Sequence, residues 1–302
     1  MEQKNWAGST YGNGWMHKML IRSLSAIDVR VLYLFSNIFV VPVCLVLNRS
    51  RKTAWNYFRN IHGFGRLKSA WMTYLNHCKF SEVVIDRFAM YAGRQFDVQV
   101  EGMEHFKALE SRDEAFLHLS SHIGNYEIAG YTLVSEKKMI HAVVYGYEKA
   151  SVMENRNNMF SKTNIGMIAI TEDMSYLFEI DKAICKGDIV SFPSDRYMGN
   201  TKTIECEFFG KKAKFPAGPF TVAAMRGLDV LAVNVMKVGR KKYQIFVTPL
   251  HYDKEAPRKK QIAELCGAYV AELEKRLREY PEQWYNFFDF WNSWKIYIQR
   301  IF

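Results

Sequence analysis

The chain has 302 residues, 49% of them hydrophobic and 24% charged, enough to build a full core and too apolar for a disordered or low-complexity protein. Lysine and arginine outnumber the acids by 41 to 31, a formal charge of +10 that attracts polyanions: nucleic acid, an anionic membrane leaflet or an acidic carrier protein. The five cysteines (Cys44, Cys78, Cys185, Cys206, Cys266) are odd in number, scattered and without a C-x-x-C pair, which argues against a zinc site or a disulfide framework and fits a reducing compartment.

In chain order, a turn-rich opening leads to "VLYLFSNIFVVPVCLVL", residues 31–47, a stretch with no charge. It lies too late for a secretory signal, lacks a cleavage site and ends in "NRSRK", so it reads as uncleaved. Its length is the lower limit for a bilayer crossing, and Pro42 interrupts it. Three readings stay open: a crossing, a monotopic helix resting in one leaflet, or a buried core helix. Arg49, Arg51 and Lys52 suit an anionic cytoplasmic surface in the first two. "RKTAWNYFRNIHGFGRLKSAW" then interleaves aromatic and basic residues, yet no RNP, KH or zinc-finger signature accompanies it, and no nucleic-acid partner is expected. Helical patterning continues to about residue 95, closing with "FSEVVIDRFAMYAG".

Beyond that the rhythm changes. "FDVQVEG", "EAFLHLSS", "MIHAVVYG", "MIAIT" and "DIVSFPSD" read as strands; "MSYLFEIDKAICKG" and "PFTVAAMRG" read as helices with glycine stops. "DVLAVNVMKVG" and "KKYQIFVTPL" predict a hairpin or neighbouring strands, and residues 257–280 predict a helix with Ile262, Leu265, Cys266, Tyr269, Val270, Leu273 and Leu277 on one face. The alternation predicts an α/β fold, a mostly parallel central sheet flanked by helices. The expected organisation is a helical membrane-associated region over 1–95 and an α/β domain over 96–302.

The stretch "HLSSHIGNYEIAGYTL" carries the chemistry. Residues five apart stand about 140° apart around a helix, so His122 and Glu127 meet only if His122 sits in the turn after a strand and Glu127 in the first helical turn. Gly124 and Asn125 between them tolerate such a turn. A carboxylate on one imidazole nitrogen sets the tautomer and frees the other nitrogen to take a proton. On spacing alone, a glutamate capping a helix beside an incidental histidine accounts for the pattern too. No G-x-S-x-G elbow, phosphate loop or dinucleotide fingerprint is present; Ser120 and Ser121 directly precede His122, and His118 and His122 lie along a strand, where they do not chelate a metal as a helical turn would.

Three further stretches follow: "GDIVSFPSDRYMGN", "ECEFFGKKAKFPAGPFTVAAMRGLDVLAVNVMKVG" and "YPEQWYNFFDFW". With "HIGNYE", in this order and at these intervals, they resemble the late lipid A acyltransferases, a branch of the lysophospholipid acyltransferase-like superfamily marked by H-x-x-x-x-(D/E). The resemblance covers roughly residues 100–302. It implies a bacterial inner-membrane enzyme on the cytoplasmic face, monotopic or peripheral. Its relatives move a fatty acyl chain from acyl carrier protein, sometimes coenzyme A, to a lipid-linked hydroxyl; for this chain the expected acceptor is a hydroxyl or amine of a lipid or lipid-like molecule. His122 matches the general base and Glu127 its partner. No acyl-enzyme, metal or cofactor is implied beyond the acyl-carrier-protein or acyl-CoA co-substrate.

The oxyanion calls for donors, and backbone N–H groups around Gly124 and Asn125 or the Arg196 cation are alternatives. Ser194, Asp195 and Arg196 are assigned to substrate binding; Arg196 suits an anionic group, or pairs with Asp195. Pro216 and Gly218 of "FPAGPF" belong to an element near the acyl or acceptor site in the family, or form a plain helix start. Lys211, Lys212 and Lys214, with Arg240, Lys241 and Lys242, form either a surface for the carrier protein or a solvated face. Arg196 and the aromatic tail depart from the lipid A enzymes, and the tail together with "FSEVVIDRFAMY" looks more like the acyltransferase branch of pigment or aminolipid clusters, so the acceptor stays open. A thioesterase- or lipase-type hydrolase and a non-catalytic scaffold binding membrane or carrier are the other readings.

Overall fold

The computed structural model describes residues 22–24, 27–48, 50–145, 164–171, 173–197, 201–287 and 290–291. Arg49 and residues 198–200 of the "SDRYMGN" motif lie outside them. Helix α1 (Val29–Leu47) is long and apolar enough to cross a membrane by length and composition, with 22% of it buried. It is continuous through Pro42 because a wider π turn, Ser36–Val40, precedes the proline. Helix α2 (Ser50–Asn56, continued by a π turn Tyr57–Ile61) follows, then the long α3 (Arg66–Tyr91).

One stripe of α1 lies against α3. Val29, Tyr33, Ser36 and Val41 are buried, while Leu34, Phe35, Ile38, Phe39, Val43, Val46 and Leu47 are exposed. The buried stripe is polar as well as apolar. Ser36 Oγ meets Ser81 Oγ at 2.5 Å, Asn37 Nδ2 donates to Glu82 Oε1 at 3.2 Å, and Tyr74 OH donates to Asn37 O at 2.9 Å. Near its start, Tyr33 donates to Asp86, which also pairs with Lys237 Nζ at 2.5 Å and accepts from Tyr243.

The sheet has seven strands in the order β1-β9-β8-β2-β5-β3-β4: β1 (Asp97–Glu101), β2 (Phe116–Ser120), β3 (Ile140–Tyr145), β4 (Ile165–Ile170), β5 (Ile189–Pro193), β8 (Asp229–Lys237) and β9 (Lys242–Leu250). Every pairing is parallel except the β8–β9 hairpin, as the alternating pattern predicts. Leu117 and Leu119 of β2 and Val230, Ala232 and Met236 of β8 face one core, shared with α6 (Tyr176–Cys185), α7 (Gly218–Arg226) and α8 (Arg258–Glu279). Phe116, Leu231, Val233 and Val235 face the other, closed by Phe106 of α4 (Met103–Glu110). Alternating side chains thus bury both faces of a sheet sandwiched by helices.

One reading changes and one element is added. The helix expected from about Tyr126 is a 3₁₀ turn (Tyr126–Ile128) and a short α5 (Ala129–Thr132). The stretch "TIECEFFGKKAKFP" forms an antiparallel hairpin, β6 (Thr203–Phe208) and β7 (Lys211–Pro216), turning at Phe209-Gly210, both at positive φ. Its signal was the alternation of Ile204, Cys206 and Phe208 with Ala213 and Phe215, obscured by the lysines. The hairpin also brings Cys206 Sγ to 3.3 Å from Cys266 Sγ on α8.

Candidate active site

The site begins with strand register. Strands β2 and β5 run side by side in parallel, with Phe116 opposite Ile189 and Ser120 opposite Pro193. One residue further, Ser194 N donates to Ser120 O at 2.9 Å. The same offset sets His122 opposite Asp195, just past the carboxyl ends of both strands, where open α/β sheets bind ligands. Both bonds available to that geometry form: His122 N donates to Asp195 Oδ2 at 3.0 Å, and His122 Nδ1 lies 2.7 Å from Asp195 Oδ1.

The turn after His122 is wedged into the structure. Gly124 has φ of +53°, and a Cβ there would lie 1.7 Å from Val235 O, so no side chain fits. Gly124 N donates to Gln283 O at 2.9 Å and Asn125 N to Val235 O at 3.0 Å. Ile123 bridges to Trp284. Strand β8 and the tail segment after α8 therefore clamp the turn from two sides. These bonds also commit the backbone N–H groups of Gly124 and Asn125 to the fold, which removes them as oxyanion donors.

The expected partnership of His122 with Glu127 is corrected. Glu127 is buried and turns to α3, accepting from Tyr91 OH at 3.1 Å and facing Arg87 Nε at 3.2 Å. The imidazole is already fixed by Asp195, and the 3₁₀ turn carries Glu127 around toward the helix. Asp195, assigned above to substrate binding, is the histidine's partner instead. No sequence spacing announces it, because residues 73 apart meet only through the β2–β5 register.

Electrostatics suit a base. Asp195 is fully buried, and although burial alone works to raise its pKa, the contact with His122 holds it below the ordinary carboxylate value. Burial and then the charge of Arg196 hold His122 below the ordinary histidine value, against the pull of Asp195. Both Asp195 oxygens are acceptors, so Nδ1 carries the proton and the neutral ring keeps its lone pair on Nε2. A quarter of the side chain (26%) remains exposed, leaving an approach to that nitrogen.

Around this pair, the Tyr126 ring stands edge-on to the imidazole at 5.5 Å between centroids. Arg196 Nη2 donates to Tyr285 O at 2.9 Å, and burial lowers its pKa from the usual guanidinium value. Ser121 Oγ meets Tyr269 OH at 2.7 Å, and that hydroxyl donates on to Ser120 O at 3.0 Å, so the serine beside His122 is tied into the fold. Ser194 is buried and bonds back to Phe192 O at 3.2 Å. Pro216 pairs with Thr203 across the β6–β7 hairpin and Gly218 opens α7; neither bonds to His122. His118 lies among the Phe106 and Phe116 rings at 5.5 and 5.4 Å, and burial lowers its pKa to about 3. Among the described residues no group of three or more His, Cys, Asp or Glu side chains could hold a metal.

A buried aspartate holding a half-open neutral histidine at the carboxyl edge of an α/β sheet is an arrangement able to take a proton from a nucleophile. Residues 81–293, well over half the chain, match the family of bacterial lipid A biosynthesis acyltransferases, and the chain belongs to that family. It is thereby an acyltransferase of lipid biosynthesis, the class expected from the four motifs. Among solved structures it is similar to the 1-acyl-sn-glycerophosphate (LPA) acyltransferase PlsC from Thermotoga maritima, at 15% identity over 90% of this chain and 97% of that one, with a TM-score of 0.37. No curated protein matches the chain in sequence.

Proposed function

We propose that the protein transfers a fatty acyl chain from a thioester donor, acyl carrier protein or acyl-CoA, to a hydroxyl or amine of a membrane lipid, with His122 as general base and Asp195 as its orienting carboxylate. His122 Nε2 takes the proton of the acceptor as its oxygen or nitrogen attacks the thioester carbonyl. Asp195 holds the imidazolium that forms, and the proton passes to the departing thiolate. Arg196 is the remaining oxyanion donor of the two alternatives, because the backbone N–H groups of Gly124 and Asn125 already donate within the chain. The paired His122 and Asp195, with Nε2 left to the open side, is the single observation that supports this reading most.

Acceptor supply fits α1. Its buried stripe is hydrogen-bonded lengthwise to α3, a helix carrying Lys79, Glu82, Asp86 and Arg87, which supports the reading of α1 with one face on protein and the other in a single leaflet. Trp71 is exposed and packs at 5.6 Å on Tyr74, whose hydroxyl bonds to α1, and Arg51, Lys52 and Lys68 are exposed basic residues of the same region of the chain. We assign the protein to the cytoplasmic face of a bacterial inner membrane on this basis.

Lipid mass spectrometry of the host with the gene deleted, then restored as wild type or His122→Ala, tests the reading. The wild-type gene is expected to restore a lipid species one acyl chain heavier, and His122→Ala to restore none at equal protein level. Restoration by His122→Ala would remove the proposal.

A further inference from the structure

The carboxylate five residues after His122 does its work elsewhere, and where it points identifies another residue of the site. Glu127 is 4% exposed and lies against Arg87 and Tyr91, which stand four apart on one face of α3. Its Oε1 faces Arg87 Nε at 3.2 Å, and its Oε2 accepts from Tyr91 OH. The guanidinium carbon of Arg87 sits 5.7 Å from the centroid of the Tyr126 ring, the same ring that stands against His122. Arg87 keeps 25% of its side chain exposed beside this pair. Its charge is felt at His122, as is that of Arg196. Two guanidiniums thus act on the histidine by their charge, one paired with Glu127 and the other bonded to Tyr285 O.

We propose that Glu127 acts through Arg87: it fixes the Arg87 guanidinium on the Tyr126 face, beside His122, where that cation binds a phosphate group of the incoming substrate. The proposal rests on the acyl-transfer reading and names the chemistry the site selects. A planar guanidinium takes two phosphate oxygens at once, and a rigid carboxylate behind it reduces the freedom lost on binding. Phosphate reaches such a site from either side of the reaction, on the pantetheine arm of the donor or on the head group of the acceptor. Glu127 is a positioning residue here, and Arg87 a binding one.

The test measures binding in the absence of turnover, with the full chain carrying His122→Ala in detergent micelles. Two ligand pairs differ by a phosphate alone: palmitoyl-4′-phosphopantetheine against palmitoyl-pantetheine for the donor side, and lysophosphatidate against monoacylglycerol for the acceptor side. One pair is expected to show a preference of about tenfold or more for the phosphate-bearing member. Arg87→Ala is expected to abolish that preference while leaving affinity for the phosphate-free member unchanged, which also shows that the fold is intact. Glu127→Gln is expected to lose most of it, and Arg87→Lys to keep a reduced part, having charge without the fork. The pair that responds identifies the source of the phosphate.

Equal preference in Arg87→Ala and the starting protein, or no preference in either pair, overturns the proposal. Full preference in Glu127→Gln overturns the positioning role. If Arg87→Ala does not fold, an undiminished preference in Arg87→Lys overturns it in its place. Because the measurement is free of catalysis, its failure leaves the base assignment of His122 standing, and restoration of lipid by His122→Ala would leave this result standing.

Discussion

Two buried aspartates, Asp86 and Asp195, are both fully shielded from solvent, and both pair with a base. Asp86 sits with Lys237, Tyr33 and Tyr243 at the junction of α1, α3 and the β8–β9 hairpin, and neither charged side chain of the pair is exposed. Burial pushes Asp86 up and Lys237 down, each away from its charged form, which is the mark of a closed knot. Asp195 instead sits below its ordinary value, and its partner His122 opens to one side. The same residue type is a rivet in one place and part of the candidate active site in the other. The difference lies in the partner: a closed lysine offers no exchangeable function, whereas a half-open imidazole presents a lone pair.

That contrast is sharpest in substitution. Asp195→Asn is expected to lower kcat by roughly a thousandfold or more, because an amide no longer fixes the Nδ1–H tautomer or holds the imidazolium. Its thermal unfolding should move little by comparison. Initial rates and melting curves on one preparation check this, and retained activity would break the assignment. Lys237→Met is expected to do the reverse, costing about 3–5 kcal/mol of stability by leaving Asp86 buried without its cation, with the chemical step unchanged in the protein that remains folded. Denaturant titration against kcat per folded molecule separates the two outcomes.

A pH-dependent effect distinguishes the histidines. His118, locked neutral among rings, is depressed to about 3, so the unfolded chain binds a proton there once pH drops below about 6.5 while the folded chain does not. More protons on the unfolded side means that stability is lost as pH falls. The contribution is about 1.4 kcal/mol per pH unit across the window down to about 3. His118→Leu is expected to flatten the acid side of a stability profile by that slope, and an unchanged slope would show that His118 is not held neutral.

Much of the architecture is legible residue by residue. The apolar helix, five of the strands, the β8–β9 hairpin and the helix ending near residue 280 follow from periodicity and glycine stops. The β6–β7 hairpin does not, because its outward lysines conceal the alternation of its inner face. At the site, His122 and the need for Gly124 were readable from a strand followed by a tight turn. The partner of His122 was not: Glu127 is close in the chain and was the natural choice, while Asp195 is distant. The two cysteines now side by side, Cys206 and Cys266, are the same case on another element.

The chain's own pattern determined which segments are strands and helices, that one helix presents apolar side chains along most of its length, and that a histidine would leave the second strand through a glycine turn. These are consequences of local backbone preference and side-chain spacing. Tertiary structure alone decided that β5 would lie beside β2 in a register placing Asp195 across from His122, and that Glu127 would turn to Arg87. Strand neighbours and register are set by packing both faces of a sheet at once, and that information is carried by no single stretch of residues.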